Sequence, residues 1–280
     1  MEYIQTNFKI IISGIKLESN FQLADTIHNR YVSNVNCTAG EDNSVVVTGT
    51  ICSEDKNKNF LIAEDLKEFF LRLFSLFGVN CRVKKCELDT ATDFWIGQIE
   101  ISPPTPLVNA TKINNQVSNV ISQFYNPQRS AQFFNLIESN NSIDILHRFR
   151  SLFSVFDSLS PKTSRGFINY HALKKDYVGV ITDRYNGIYV TRFREIINEF
   201  CNANLIDSRT NTNYSLLLKS SIQSIDNSSL LNKDVAYYLL RCIQVIRNKV
   251  NHGDFTGLNR KIISGAYELL LPLVQKLLQA

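Results

Sequence analysis

Apolar and polar positions in the first part of the chain predict strands around one helix. The segments NFKIIISGIKL and NSVVVTGTICS are rich in Ile, Val and Thr and are bounded by Gly, Asn and Ser, as strands commonly are. Between the second of them and the alternating segment DFWIGQIEIS, the segment AEDLKEFFLRLFSLFG has its apolar residues at helical spacing. Residues 1–125 are therefore predicted to form a mixed α/β domain.

The pattern changes in the middle of the chain. Residues 126–141 are predicted to be a connector, because they follow one short helical pattern, NNQVSNVISQFYN, and lead into the polar break ESNNS. From residue 142 onward the apolar spacing is helical throughout, which predicts an all-α bundle over residues 142–280. The predicted fold class is α+β, with a mixed α/β N-terminal domain followed by this bundle.

The first helix of the bundle has a narrow polar stripe. SIDILHRFRSLFSVFDSLSP is apolar around most of its circumference, and its polar exceptions Arg150, Ser154 and Asp157 recur at i, i+4 and i+7. Two interpretations of Arg150 and Asp157 are open. They form a salt bridge within a buried helix, or they support and orient functional side chains on another helix.

The segment NKDVAYYLLRCIQVIRNKVNHG predicts a helix that carries candidate functional residues at its end. Arg241, Gln244 and Asn248 share one face, and His252 extends that face by one turn. Arg247 is off this face, because five residues of regular helix place it about 140° from His252.

Arg247 and His252 can act on one ligand in only two ways. The helix unwinds at Asn251 and His252, which Gly253 would permit, or a second copy of the chain supplies the missing side chain. An ordinary helix end is the competing interpretation, since basic residues in the last turn followed by glycine also satisfy the helix dipole and the cap.

Composition and charge narrow the function. The chain is 44% hydrophobic and 20% charged, and it contains no apolar run long enough to span a bilayer. No signal peptide is predicted, and the six scattered cysteines suit reduced thiols in a cytoplasmic protein. Residues 1–140 have 12 Lys and Arg against 15 Asp and Glu, whereas residues 141–280 have 18 against 11. An anionic partner is therefore expected at the C-terminal half.

The side chains at the helix end suit phosphate chemistry. Arg247 can bind a phosphate with two hydrogen bonds, His252 can accept or donate a proton near neutral pH, and Asn248 can position a substrate without charge. No carboxylate cluster accompanies them in the sequence, so a metal-dependent nuclease is not supported. No metal site and no cofactor are predicted.

RNKVNHG at the end of an amphipathic helix resembles the R-x4–6-H motif of the HEPN superfamily, here with R-x4-H spacing. The earlier helix HRFRSLFSVFDSL is similar to the first helix of the Apea-like HEPN branch, with Asp157 where an acidic residue, often Glu, ends that pattern. The resemblance covers residues 142–280. Asp254 stands where one HEPN subgroup has a nucleotide-modified tyrosine, so that form of regulation is not implied.

The resemblance implies a helical domain that forms a homodimer, with two R-x4-H motifs facing one cleft. It implies a metal-independent endoribonuclease of prokaryotic toxin or antiphage systems, which cleaves RNA by attack of the ribose 2′-hydroxyl. His252 would be the general acid/base, Arg247 the phosphate clamp and Asn248 a positioning residue, with Asp157, Arg150 and Asn251 in support. The implied partners are RNA, a second copy and an antitoxin or regulatory protein, with no membrane. A non-catalytic scaffold or a nucleotide- or RNA-binding module is the alternative.

Overall fold

The computed structural model of the chain describes residues 4–24, 31–88, 107–124, 126–142, 144–223 and 231–280. These residues form two units, which divide between Asn141 and Ser142. The first unit combines a sheet with helices, and the second is built mainly from helices. The predicted α+β class is therefore confirmed.

In chain order, the described strands of the first unit are β1 (Ile4–Ser13), β2 (Lys16–Leu17), β3 (Phe21–Gln22), β4 (Val32–Gly40), β5 (Ser44–Ser53), β6 (Arg82–Leu88) and β7 (Leu107–Val108). Five of them form an antiparallel sheet in the order β3-β4-β5-β1-β6, and the short β2 pairs with β7 in parallel. The long central pair β1 and β5 corresponds to the two β-branched segments. Its partners Ile10 and Val47 are fully buried.

Two of the longer strands of this sheet were not predicted from the sequence. Strand β4 contains a bulge between Ser33 and Asn36, and Asn34 has a positive φ of 55°. The bulge interrupts the two-residue alternation by which a strand is recognised. Four of the seven residues of strand β6 (RVKKCEL) are charged, and only Arg82 and Cys86 of this strand are buried.

Three helices accompany the sheet: α1 (Lys56–Ser75), α2 (Ala110–Phe124) and α3 (Pro127–Asn141). Helix α1 begins seven residues before the predicted segment, because the Asp55 side chain accepts a hydrogen bond from the Lys58 backbone N–H and caps the helix there. The predicted connector is largely helix α3, which contacts α1, α2 and β6. Its Phe133 and Leu136 are buried, so this segment packs as part of the first unit.

The second unit contains helices α4 (Ile145–Leu159), α5 (Tyr170–Arg184), α6 (Val190–Asn202), α7 (Tyr214–Gln223), α8 (Lys233–His252) and α9 (Arg260–Gln279). A short 3-10 turn at Gly187–Tyr189 precedes α6, and a two-stranded hairpin of β8 (Ile206–Asp207) and β9 (Thr212–Asn213) precedes α7. Helix α8 contacts α4, α5 and α7. Its predicted apolar stripe is fully buried, at Val235, Leu239, Cys242, Ile246 and Val250.

Helix α4 buries the face that the sequence predicts, and it also buries one charged residue. Phe149, Leu152 and Phe156 are fully buried, as expected for a central helix. Arg148 is fully buried as well, with its guanidinium carbon 4.5 Å from the centre of the Tyr267 ring. A contact with a distant aromatic ring leaves no sign in the local spacing of α4.

The predicted strand DFWIGQIEIS and the prolines after it lie outside the described residues. Among the helices that the structure describes, none combines the length and the apolar character needed to cross a membrane.

Replacing Leu152 with Ala should lower the free energy of unfolding by about 2–5 kcal/mol, because Leu152 is fully buried and the shorter side chain leaves a cavity in its place. The matched change Ser154→Ala on the exposed face of α4 should alter it by less than about 0.5 kcal/mol. Urea denaturation followed by helical circular dichroism measures both values. Equal effects of the two changes would contradict the assigned core face of α4.

Candidate functional site

The helix that carries the R-x4-H motif is regular to its end. Asn232 caps α8 at its start, since its side chain accepts hydrogen bonds from the backbone N–H groups of Asp234 and Val235. At the other end Gly253 is left-handed, with φ 70° and ψ 14°, and the Asp254 backbone N–H donates to the Lys249 carbonyl at 2.9 Å. Asn251 and His252 belong to the helix, so the unwinding that the sequence permits does not occur.

The loop after the helix is held by Lys249. The Lys249 ammonium lies 3.3 Å from the Asp254 carboxylate and donates to the Thr256 carbonyl at 2.7 Å. The pKa of the Asp254 carboxyl is lowered, chiefly by the hydrogen bond that it accepts from the Thr256 backbone N–H. The ordinary capping interpretation therefore holds for Lys249, Gly253 and Asp254, and it leaves Arg247 and His252 for other roles.

A regular helix keeps Arg247 and His252 apart. Arg247 is half-buried, its guanidinium carbon is 5.1 Å from the centre of the Phe153 ring, and its Nη1 donates to the Asn248 Oδ1 at 3.0 Å. His252 and Asn251 are exposed. Because the side chains of Arg247 and His252 leave the helix in directions about 140° apart around its axis, one chain does not bring them to the same point.

Arg247 instead lines a cavity of about 210 Å³ between helices and loops of the second unit. The lining residues are Phe153, Asp157, Gly166, Phe167, Ile168, Tyr170, Arg209, Arg241, Gln244 and Arg247. The helical wheel placed Arg247 away from the face of Arg241 and Gln244. In the structure all three reach one cavity, because residues three apart on a helix are neighbours and arginine side chains are long.

Asp157 lies in this cavity together with Arg247, which the sequence alone did not establish. Its carboxylate forms an ion pair with Lys162, beyond the end of α4. Arg150 donates from Nη2 to the Val250 carbonyl at 2.7 Å, which ties α4 to the last turn of α8. A salt bridge between Arg150 and Asp157 within the helix is therefore the wrong interpretation. Arg150 contacts the last turn of α8, whereas Asp157 pairs with Lys162 and lines the cavity.

Arg241 lines the cavity and is held in place by a buried ion pair. Its Nη2 lies 3.0 Å from the Asp207 Oδ2, and both side chains are nearly inaccessible to solvent. The guanidinium also lies 4.7 Å from the centre of the Tyr214 ring and 5.5 Å from that of Tyr170. A buried pair of this kind is strongly destabilised when one partner is removed, so Arg241 has a structural as well as an electrostatic role.

Arg209 and Phe167 are residues of the cavity that sequence reasoning missed. Arg209 follows β8, and its guanidinium carbon lies 5.1 Å from the centre of the Phe167 ring, which is itself exposed. Both residues are in loops, where no period marks a functional position.

Several other basic residues of the second unit form contacts away from the cavity. Arg184 donates to the Gln275 side chain at 2.8 Å, Arg192 pairs with the buried Glu268 at 2.6 Å, and Lys174 lies 4.0 Å from Asp234. Arg194 and Lys175 are exposed. Some of the positively charged residues of the second unit therefore form ion pairs and hydrogen bonds within the fold, and the arginines of the cavity are a separate group.

Several polar atoms at the cavity have no hydrogen-bond partner within the described part of the chain. They are Arg241 Nε, Gln244 Oε1 and the Tyr170 hydroxyl, and all are buried. Burial raises the pKa of Tyr170, an effect that the nearby positive charge of Arg241 partly offsets. The hydroxyl therefore stays protonated and can donate a hydrogen bond.

Comparison of the whole chain with protein-family models, curated protein sequences and solved structures finds no match. Within the described residues, no group of three or more His, Cys, Asp or Glu side chains is placed to hold a metal ion.

Alanine substitutions at two glycines should have opposite effects on stability, because Gly253 has a left-handed backbone conformation and Gly179 lies inside a helix. Gly253→Ala should destabilise the protein by about 1 kcal/mol or more, since a Cβ disfavours the φ of 70° although no atom would contact it. Gly179→Ala, at an exposed position inside α5, should stabilise it by about 0.5–1 kcal/mol. Urea denaturation measures both changes, and destabilisation by the second change would contradict the helical assignment there.

Proposed function

We propose that the chain is a metal-independent endoribonuclease of HEPN type, whose active site forms when two copies of the helical unit associate. The observation that carries the proposal is the placement of Arg247 beside Asp157 in one cavity, with His252 exposed at the end of the same helix. The R-x4-H motif and the similarity of α4 to the first helix of the Apea-like branch support the same function. A cytoplasmic role in prokaryotic toxin or antiphage defence, with an antitoxin or regulatory partner, belongs to this proposal.

The proposed reaction needs one base, one acid and one cation. The ribose 2′-hydroxyl loses its proton to a histidine and attacks the adjacent phosphorus, and the bond from phosphorus to the 5′-oxygen breaks. The leaving 5′-oxygen takes a proton from a histidinium, so that the products are a 2′,3′-cyclic phosphate and a free 5′-hydroxyl. Arg247 stabilises the extra negative charge of the phosphorane, and Asn248 holds the Arg247 guanidinium through the 3.0 Å hydrogen bond.

A second chain supplies what one helix cannot. The regular end of α8 separates Arg247 from His252, so Arg247 of one copy must act with His252 of the other. A two-fold axis near the end of α8 would place two such pairs in one cleft, each made of Arg247 from one copy and His252 from the other. In each pair the histidine would take the proton of the 2′-hydroxyl and then, as histidinium, give it to the leaving 5′-oxygen.

An RNA- or nucleotide-binding module without cleavage is the second candidate. The separation of Arg247 and His252 within one chain favours it, because the cavity can hold an anion without His252. Dimer formation and cleavage distinguish the two candidates.

Replacing His252 with Ala should reduce RNA cleavage by about 10²–10⁴-fold, since it removes the proposed general acid and base. Cleavage is measured with purified protein and a labelled RNA in EDTA, and the product ends are identified by mass spectrometry. A 2′-deoxy substitution at the cleaved position should block the reaction, because the attacking hydroxyl is then missing.

The control variant is His147→Ala, an exposed histidine on α4 that should leave cleavage unchanged. Cleavage that survives His252→Ala, that requires Mg²⁺ or that leaves other product ends would contradict the proposed mechanism.

A mixture of two inactive variants tests whether the site is shared. Equal amounts of Arg247→Ala and His252→Ala, allowed to exchange subunits, should regain about a quarter of the wild-type rate. Half of the dimers would be mixed, and each would have one of two composite sites intact. A mixture that remains inactive after verified subunit exchange would exclude a site shared in this way.

A further inference from the structure

We infer that the cavity formed by Arg209, Arg241, Gln244 and Tyr170 is a binding site for a phosphate monoester, the doubly charged phosphate at the end of a nucleotide or an RNA strand. The inference goes beyond RNA cleavage, because the site lies within one chain and does not involve His252. It also adds residues to which the R-x4-H motif assigns no function.

The charge around the cavity selects a dianion. Among the described residues that line the cavity or pair with its lining, the cations are Arg209, Arg241, Arg247 and Lys162, and the carboxylates are Asp157 and Asp207. Lys162 offsets Asp157, and Arg241 offsets Asp207. Four cations and two carboxylates leave a net charge of +2, which matches the charge of nearly −2 on a phosphate monoester at neutral pH. A phosphodiester has half that charge.

Two of the arginines are available to the ligand. Within the described part of the chain, no carboxylate lies within ion-pair distance of Arg209 or Arg247. Arg209 contacts the Phe167 ring, and Arg247 donates to the Asn248 amide. Each guanidinium retains further N–H donors in the planar arrangement that suits two phosphate oxygens.

Buried polar atoms complete the site. Tyr170 is 4% exposed, and neither its hydroxyl nor Arg241 Nε has a partner among the described residues. Unpaired buried donors are costly, and both belong to residues that line the cavity, so we expect a bound phosphate to take up their hydrogen bonds. Gln244 Oε1 is also unpaired, and it can accept a hydrogen bond from a ribose hydroxyl.

The size of the cavity sets what it can hold. Its volume of about 210 Å³ is below the range of about 300–1,000 Å³ that is usual for drug-sized ligands. A phosphate with its ribose is the matching unit, and the base would remain outside. The chemistry is therefore common to a free mononucleotide and to the phosphorylated end of an RNA.

The test measures binding by isothermal titration calorimetry with adenosine 5′-monophosphate, its methyl ester, adenosine and a 5′-phosphorylated RNA trinucleotide. The monophosphate should bind more tightly than its methyl ester by about tenfold, and adenosine should not bind detectably. If the trinucleotide binds more tightly than the monophosphate, the ligand is an RNA end, and the reverse order identifies a free nucleotide.

Two variants locate the binding at the cavity. Arg209→Gln and Tyr170→Phe should each weaken monophosphate binding by about tenfold or more, since each removes a hydrogen bond to a charged group. Arg194→Gln, which replaces an exposed arginine of α6 that does not line the cavity, is the matched control and should bind as the wild type does. Tyr170→Phe should not lower the thermal midpoint, because its hydroxyl has no partner in the described structure.

Equal affinity for the monophosphate and adenosine, or wild-type affinity in both cavity variants, would overturn the inference. The His252→Ala variant separates it from the proposed ribonuclease. Monophosphate binding unchanged in His252→Ala supports a site independent of catalysis, even if no RNA cleavage is ever found. Loss of binding in His252→Ala would contradict the assignment to this cavity.

Discussion

Unbroken helical hydrogen bonding along α8, as far as the glycine cap at Gly253, is the constraint on which the candidate site depends. The buried stripe of this helix packs in the second unit, and Arg150 binds a carbonyl in its last turn. The direction of each side chain on the helix is thereby fixed. Arg247 faces the cavity, whereas His252 lies at an exposed end, so the proposed catalysis by both residues would need a partner chain.

The positive charge of the C-terminal half is divided among three uses. Arg192 and Arg241 compensate buried carboxylates and belong to the packing of the helices. Lys249 closes the loop after α8. Arg209 and Arg247 have no such partner in the described structure, and they share one cavity. Net charge alone could not separate these uses, since all of these side chains contribute equally to the sequence total.

The two proposals concern neighbouring surfaces with different requirements. RNA cleavage needs His252 and a second chain, whereas phosphate binding needs only the cavity of one chain. Arg247 is shared by both, because its guanidinium lines the cavity while Asn248 holds it from the side. A phosphate bound in the cavity would therefore affect the RNA phosphate at the proposed catalytic site, because both contact Arg247. It would compete with that phosphate or help to position it, depending on the direction in which the RNA runs.

The sequence by itself determined the helical and strand segments with strong periodicity, the α+β class, the capped end of α8 and the candidate pair Arg247 and His252. These features depend on local hydrogen bonding and on the spacing of apolar residues, both of which can be inferred from a single sequence. Strand β4 was hidden by its bulge. Only the tertiary structure decided that Asp157 lies with Arg247 and that Arg150 does not pair with Asp157. It also brought Arg209 and Phe167, from separate loops, into the same cavity. Contacts between distant segments depend on how helices and loops pack, and local spacing does not encode that packing.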